Sequence, residues 1–555
     1  MQIQEPEDEL GRRWHLQVNG RRVRVRGYNW IPDDPFSAEV TPERIRRRLD
    51  QAVAGGANLL RVWGGGYVVN HDFLEACDER GLLVWHDFLF ACAAYDESPE
   101  MLDRITAEAE QAVTDLSHHP SLVIWCGGNE CVWGWHSWGW QAELQGRSWG
   151  ARIYGELLPD VVARLDPSRP YVGNSPWSGS VDLDPSDPAR GPVHLWEVWN
   201  EIDFEHYRAV DPAFVSEMGW CAPPAWTTLR RAVPQGSLDL TNPGVRHHLR
   251  AADGELKLNR GLEENFGGAS DPDGWHYLTQ LLQARSQQSG TEWLRSRERC
   301  AGVVVWQLND CWPVVSWAAV DGDEHLKPLW YALRRGFADR LLTLQPRHVA
   351  GADGASRPGD VAVFAVNDSP EQWDLAVTVR RVDLHGTELA GADVELGATA
   401  GGTACARLDD WIVVPDDPAA ELLVVQDTEG RRSWWPFVKE ARMTLPPPRF
   451  EVSVREVTDD AMVLDIAAAS LLRDLIVYPD RAAHELGLDP AAAHVDEMMV
   501  SVLPGERISL TLTGLPGVGD VPEDRLTAVS STSPVLRVLG DRHRPGASGL
   551  DGAAE

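Results

Sequence analysis

Two glutamates stand where apolar runs stop. Glu130 closes "SLVIWCGGNE", and Glu217 closes "AFVSE". Continuous apolar runs that end in glycine and polar residues read as parallel strands buried on both faces, so each acid sits at a strand's carboxyl end. A carboxylate pair can do two jobs in one reaction. With the two groups about 5 Å apart, one attacks an anomeric carbon while the other protonates the departing oxygen, and the bond is opened with retention. A single glutamate in such a place serves equally as a helix N-cap or an ion-pair partner. Two of them, one preceded by Asn129 and the other by Ser216, point to chemistry.

The elements that must hold these acids are eight short apolar stretches, at 23–30, 58–63, 82–88, 122–130, 171–177, 193–198, 213–219 and 302–310. Helical stretches lie between them. Thr41 and Pro42 are an N-cap and a first-turn residue, and Gly55 and Gly56 stop that helix. Repeated βα units over residues 21–345 predict a (β/α)8 TIM barrel, whose chemistry sits at the carboxyl ends of its strands. Those ends carry Asn29, Trp30, Arg61, Trp63, Asp87, Asn129, Glu130, Trp177, His194, Trp196, Glu217, Trp306, Asn309 and Asp310. Strands four and seven face one another across the mouth of an eight-membered ring, which would bring the two glutamates together. Acids and amides hold hydroxyl groups and indole faces stack on sugar rings; the chain has 25 tryptophans, most of them expected in packing.

Composition narrows the ligand. A formal charge of −33 over 555 residues repels nucleic acid and anionic membrane, so a neutral ligand fits better. Only three lysines occur, and the arginine bias carries no functional message. The eight cysteines lack a CxxC pair or zinc-site spacing and read as reduced core thiols. His118 and His119 read as strand-entry residues, since no acid or cysteine stands at ligand spacing; no metal and no cofactor are expected. The amino terminus "MQIQEPEDEL" has no basic or apolar leader region, and no run of 18 apolar residues occurs, which predicts a cytoplasmic location.

Beyond the barrel the period changes to two. "DVAVFAVND", "LAVTVRRVDL" and "AELLVVQDT" predict a β-sandwich over 346–445. "TLPPPRF" reads as a stiff linker to a second β-sandwich at 446–540. Residues 1–20 read as a remnant or linker and 541–555 as a disordered tail.

At these residues the sequence resembles glycoside hydrolase family 2, in its β-mannosidase branch. The resembling segments are "RVWGGG", "GLLVWHDFLFACAAY", "HHPSLVIWCGGNE", "VHLWEVW", "FVSEMGWCAPP" and "VVVWQLNDCWPVVSW", in order across nearly the whole barrel. The resemblance implies that Glu130 is the general acid/base and Glu217 the nucleophile. It also implies that Asn129 bonds the sugar 2-hydroxyl, Arg61 orients the nucleophile and Trp306 is the platform under the sugar. Trp63, Asp87, Trp138, His194 and Trp196 would complete the substrate pocket. The implied activity is hydrolysis of terminal, non-reducing β-D-mannosides with retention. A sibling exo-β-glycosidase acting on galactosides, glucuronides or glucosaminides, or a carbohydrate-binding remnant without turnover, would carry the same residues. His86 stands where relatives often have glutamine and Asn70 where glutamate is common, both expected at the pocket rim. Family members usually carry a jelly-roll domain and an immunoglobulin-like domain before the barrel. Their absence here leads us to expect self-association or pairing with a separately encoded jelly-roll chain.

Overall fold

The computed structural model describes residues 1–351, 354, 356, 357, 359–532 and 534–540. The expected tail at 541–555 lies outside the described residues. Eight parallel strands form the curled sheet: β1 Val25–Trp30, β2 Leu59–Val62, β3 Leu83–Asp87, β4 Leu122–Cys126, β5 Tyr171–Val172, β6 Pro192–His194, β7 Phe214–Glu217 and β8 Gly302–Val305. They pair in the order β5-β4-β3-β2-β1-β8-β7-β6. Between the short β5 and β6, the Trp177 N–H bonds the Pro192 carbonyl at 3.0 Å and bridges the seam. Each strand matches one of the eight apolar stretches, because a strand buried on both faces is largely apolar.

Register sets the strand ends at a common level. Asn29 pairs with Arg61, Asp87 with Cys126 and His194 with Glu217. Among the surrounding helices are α1 Pro42–Ala54, α2 His71–Arg80, α3 Pro99–Leu116 and the long α4 Pro272–Ser296. The side chains of Thr41 and Asn70 accept the Arg44 and Phe73 N–H groups and so start α1 and α2, and Gly81, at a φ of 66°, ends α2. Asn70 is therefore a cap, which places it in the outer layer of the barrel.

Residues 1–20 are built into the barrel. His15–Val18 pairs with Gln2–Gln4 and Arg21–Val23. Trp14 and Leu16 are buried with Val25, Trp85 and Phe214, and the Trp14 and Trp85 rings stack at 5.8 Å. This segment caps the barrel interior, and Trp85 passes the contact on to Asp87 through a 3.0 Å bond from its Nε1.

The first β-sandwich packs a sheet of Arg340–Pro346, Val361–Asn367 and Thr403–Arg407 on a sheet of Glu388–Ala398, Trp373–Asp383, Glu421–Asp427 and Arg432–Pro436. Alternate residues of Trp373–Asp383 are buried over its first half, the mark of a strand with one wet face. The second pairs Phe450–Val457, Met462–Ala468, Arg507–Thr513 and His494–Val495 against Leu472–Val477, Val500–Val502 and Leu536–Arg537. It is fastened to the barrel by Tyr277 Oη to the Asp474 carbonyl at 3.0 Å and Tyr331 Oη to the Val495 carbonyl at 2.8 Å. No helix among the described residues is long and apolar enough to cross a membrane.

Candidate active site

After β4 the chain squeezes between two neighbours. A Cβ on Gly127 would meet the Gly173 carbonyl oxygen at 2.2 Å, and one on Gly128, at a φ of 151°, would meet Phe90 at 2.8 Å. Glycine is the residue that fits both the space and the backbone angle. The Asn129 and Glu130 N–H groups then bond the Phe90 and Ser175 carbonyls at 2.8 and 2.7 Å. Glu130 itself is left-handed, at a φ of 57°, immediately before a short helix, Cys131–Ser137. The two glycines and this turn aim Asn129 and Glu130 into the mouth.

Arg61 is the hub. Fully buried, it donates to Glu217 Oε1 at 2.6 Å, Asn29 Oδ1 at 2.9 Å, Asn129 Oδ1 at 2.8 Å, and Asp87 Oδ1 and Oδ2 at 3.2 and 2.7 Å. Asp87 also accepts the Gly64 N–H at 3.1 Å. Trp196 donates its Nε1 hydrogen to the other oxygen of Glu217 at 3.0 Å. Glu217 is thus gripped from both sides by donors.

Glu130 has weaker partners. His194 Nδ1 lies 2.7 Å from Glu130 Oε1 and 3.4 Å from Glu217 Oε2, between the carboxyls, while its Nε2 meets Ser175 Oγ at 2.9 Å. The Cys92 thiol is 3.4 Å from Glu130 Oε2. One ligating atom from each of Glu130, His194 and Glu217 lies within 4.8 Å of the other two. Three such ligands could hold a metal ion, but the Arg61 guanidinium already supplies a cation against Glu217, and a dication would have to compete with it.

Electrostatics separates the two acids. Burial pushes Glu130 up to about 7, above the usual glutamate range, with Cys92 and the Arg61 charge opposing. Burial also raises Glu217, against the pull of the Arg61 charge, with Glu130 adding to the rise. Glu217 holds two strong donors and is the carboxylate suited to bear the charge; Glu130 is suited to hold a proton. Burial drives His194 down to about 4, so its imidazole is neutral near pH 7.

The indoles form the wall. Trp306 meets Trp63 edge-on at 5.2 Å and Trp196 at 6.4 Å. Arg61, Asp87, Asn129, Glu130, His194, Trp196 and Glu217 form one bonded cluster. Trp138 stands at the margin, 38% exposed, reaching His194 only through Trp133. Asn309 and Asp310 turn away, bonding Asp33 and Ser316. Asn70 caps α2, and His86 is buried with its Nδ1 at the Asp87 carbonyl.

Cys92, Ser175 and Trp133 escaped the sequence reading. The cysteines as a group do not all lie in the core: Cys92 and Cys405 are exposed and Cys311 is half-buried. Only the quoted segment "DFLFACAAY" signalled Cys92. A cavity of about 1710 Å3 lies at the junction of barrel and sandwiches, among Arg208, Arg285, Arg432 and Trp434, and neither glutamate borders it.

No protein-family model matches the chain. It is 38% identical over 551 residues to β-mannosidase B of Aspergillus flavus, covering 94% of this chain and 63% of that protein. To β-mannosidase B of Emericella nidulans it is 30% identical over 540 residues, covering 92% and 62%. Among solved structures, the β-D-mannosidase of Dictyoglomus thermophilum superposes with a TM-score of 0.82 at 30% identity, over 93% of this chain and 61% of that one. The exo-chitosanase of Amycolatopsis orientalis, at 17% identity and a TM-score of 0.67, shares the fold. The chain therefore spans less than two thirds of the length of these relatives. On its motifs, its barrel and these likenesses, it belongs to glycoside hydrolase family 2, in the β-mannosidase branch.

Proposed function

We propose that this chain hydrolyses terminal β-D-mannosides with retention, through a covalent glycosyl-enzyme. The observation that carries the proposal is a pair of buried carboxyls with an oxygen of each within 4.8 Å of the other, one gripped by Arg61 and the other raised by burial to about 7. Such a close approach fits the short spacing of a retaining pair rather than the wider spacing, roughly 6.5 to 9.5 Å, of an inverting one. In the first step a Glu217 oxygen bonds the anomeric carbon, the glycosidic C–O bond breaks, and Glu130 gives its proton to the leaving oxygen. In the second, Glu130 takes a proton from water, the water oxygen bonds the anomeric carbon, and Glu217 leaves as a carboxylate. Asn129, fixed by Arg61, offers its amide to the sugar 2-hydroxyl, and Trp306 stacks beneath the ring. His194 bridges the two acids and keeps them in register. That the relatives are β-mannosidases supports the choice of sugar.

A panel of aryl β-glycosides tests this reading. Turnover of the mannoside, with β-mannose as the first product by proton NMR, is expected; turnover of another sugar alone, or binding without turnover, would overturn it.

The carboxyl pair also sets a pH profile. Glu130 must be protonated to act, so kcat/KM for a poor leaving group falls as pH rises through about 7. Glu217 must be ionised, so the rate also falls on the acid side, as Glu217 takes up a proton. Rates for an alkyl mannoside across pH 4 to 9 check this, and a plateau into the alkaline range would contradict the role of Glu130.

A further inference from the structure

At the opposite end of β4 from Glu130, three imidazoles converge. His71 is the first residue of α2, while His118 and His119 lie in the turn between α3 and β4. We propose that His71, His118 and His119 bind a divalent transition-metal ion of the zinc class, with solvent completing its coordination.

The three residues can each place a ring nitrogen within 4.8 Å of the others. His71 Nδ1 and His119 Nε2 are 3.1 Å apart. Two nitrogens on one tetrahedral zinc, at about 2.0 to 2.1 Å each, stand roughly 3.3 Å from one another, so this pair already has nearly the spacing of ligands on a common ion. The His118 ring lies 4.1 Å from the His119 ring and 5.5 Å from that of His71, centroid to centroid.

An independent observation concerns the ring face turned away from the cluster. His119 Nδ1 is 2.7 Å from Asp78 Oδ2, and the other Asp78 oxygen accepts the Ser121 N–H at 2.8 Å. A carboxylate fixed in this way takes the hydrogen on Nδ1 and leaves the Nε2 lone pair bare, aimed at His71. This is the carboxylate–histidine pairing that orients imidazoles on metals. His119 is 3% exposed and so preset, whereas His71 and His118 are exposed, which leaves an entry path for the ion. One shared proton would account for the contact between His71 and His119; it would leave the third imidazole without a task. The spacing of His118 and His119 in the chain hid the site, because the third nitrogen comes from 47 residues upstream of His118. The bound ion would tie α2 to the turn that enters β4.

The test is calorimetric titration of the full chain, freed of metal by a chelator, with Zn2+, and with Co2+ for its visible absorption. One ion per chain is expected, with a rise in melting temperature on saturation. His71→Ala and His118→Ala, both at exposed positions, should keep glycosidase turnover and metal-free stability while weakening Zn2+ binding at least about tenfold each. Absence of binding to the wild type would overturn the proposal. So would affinity unchanged in the double variant, or affinity abolished by His194→Ala alone, which would place the ion between Glu130 and Glu217.

Discussion

Glu217→Ala is expected to lower turnover of an activated aryl β-mannoside by at least ~10^4-fold, the order seen when a catalytic nucleophile is removed. No glycosyl-enzyme can form without that oxygen, whatever the leaving group. Glu130→Ala should behave differently. A nitrophenolate leaves without a proton, so formation of the intermediate survives, while an alkyl mannoside should lose ~10^2 to 10^4-fold, the usual contribution of general acid catalysis. Azide separates the roles further. In Glu130→Ala it can attack the glycosyl-enzyme and give the β-mannosyl azide; in Glu217→Ala it can enter only in place of the missing carboxylate and give the α-mannosyl azide. The anomer, read by NMR, therefore identifies which acid was lost. Exchange of the two products between the variants would reverse the roles of Glu130 and Glu217, and equal losses on both substrates for Glu130→Ala would remove it as the acid.

The eight barrel strands and the facing glutamates were legible because their physics is local. A strand buried on both faces shows as a largely apolar run, and at the ends of two of them Glu130 and Glu217 face the mouth, although Asn309 and Asp310 at another end do not. What came from outside the strands was not legible. Cys92 and Ser175 reach Glu130 and His194 from loops and Trp133 reaches His194 from the short helix Cys131–Ser137, and only the folded chain brings them within reach. Residues 1–20 misled for another reason. Their acidic start hides the alternation of Trp14 and Leu16, whose side chains fill the end of the barrel. Asn70 illustrates a third limit: comparison with relatives pointed only to the pocket rim, while its place before an apolar helix also makes it a cap, which accepts the Phe73 N–H at 3.1 Å. The hub at Arg61 was expected to touch one acid. It touches two acids and two amides, since the strand ends around it carry polar side chains.

That hub carries the second large effect. Arg61→Met should cut kcat/KM by at least ~10^3-fold and destabilise the fold by about 3 to 5 kcal/mol, the cost of leaving buried acids without their cation. The two losses have different origins. Stability is lost mainly through Asp87, which is fully buried and would keep only the Trp85 and Gly64 N–H groups. Activity is lost through Glu217 and Asn129, which would be neither aimed nor held to one another. Adding Asp87→Asn to Arg61→Met removes the orphaned charge, so denaturant unfolding should show part of the stability recovered while turnover stays low. Arg61→Lys should fall between, since an ammonium keeps a charge but cannot span five contacts with a planar fork. The pH profile supplies the sign. Arg61 pulls the Glu217 carboxyl down against its burial, so without it Glu217 takes up its proton at higher pH, and the acid limb of any residual activity should move upward. Recovery of turnover together with stability in the double variant, with the acid limb unmoved, would reduce Arg61 to a structural residue and leave the charge on Glu217 to be explained by Trp196 alone.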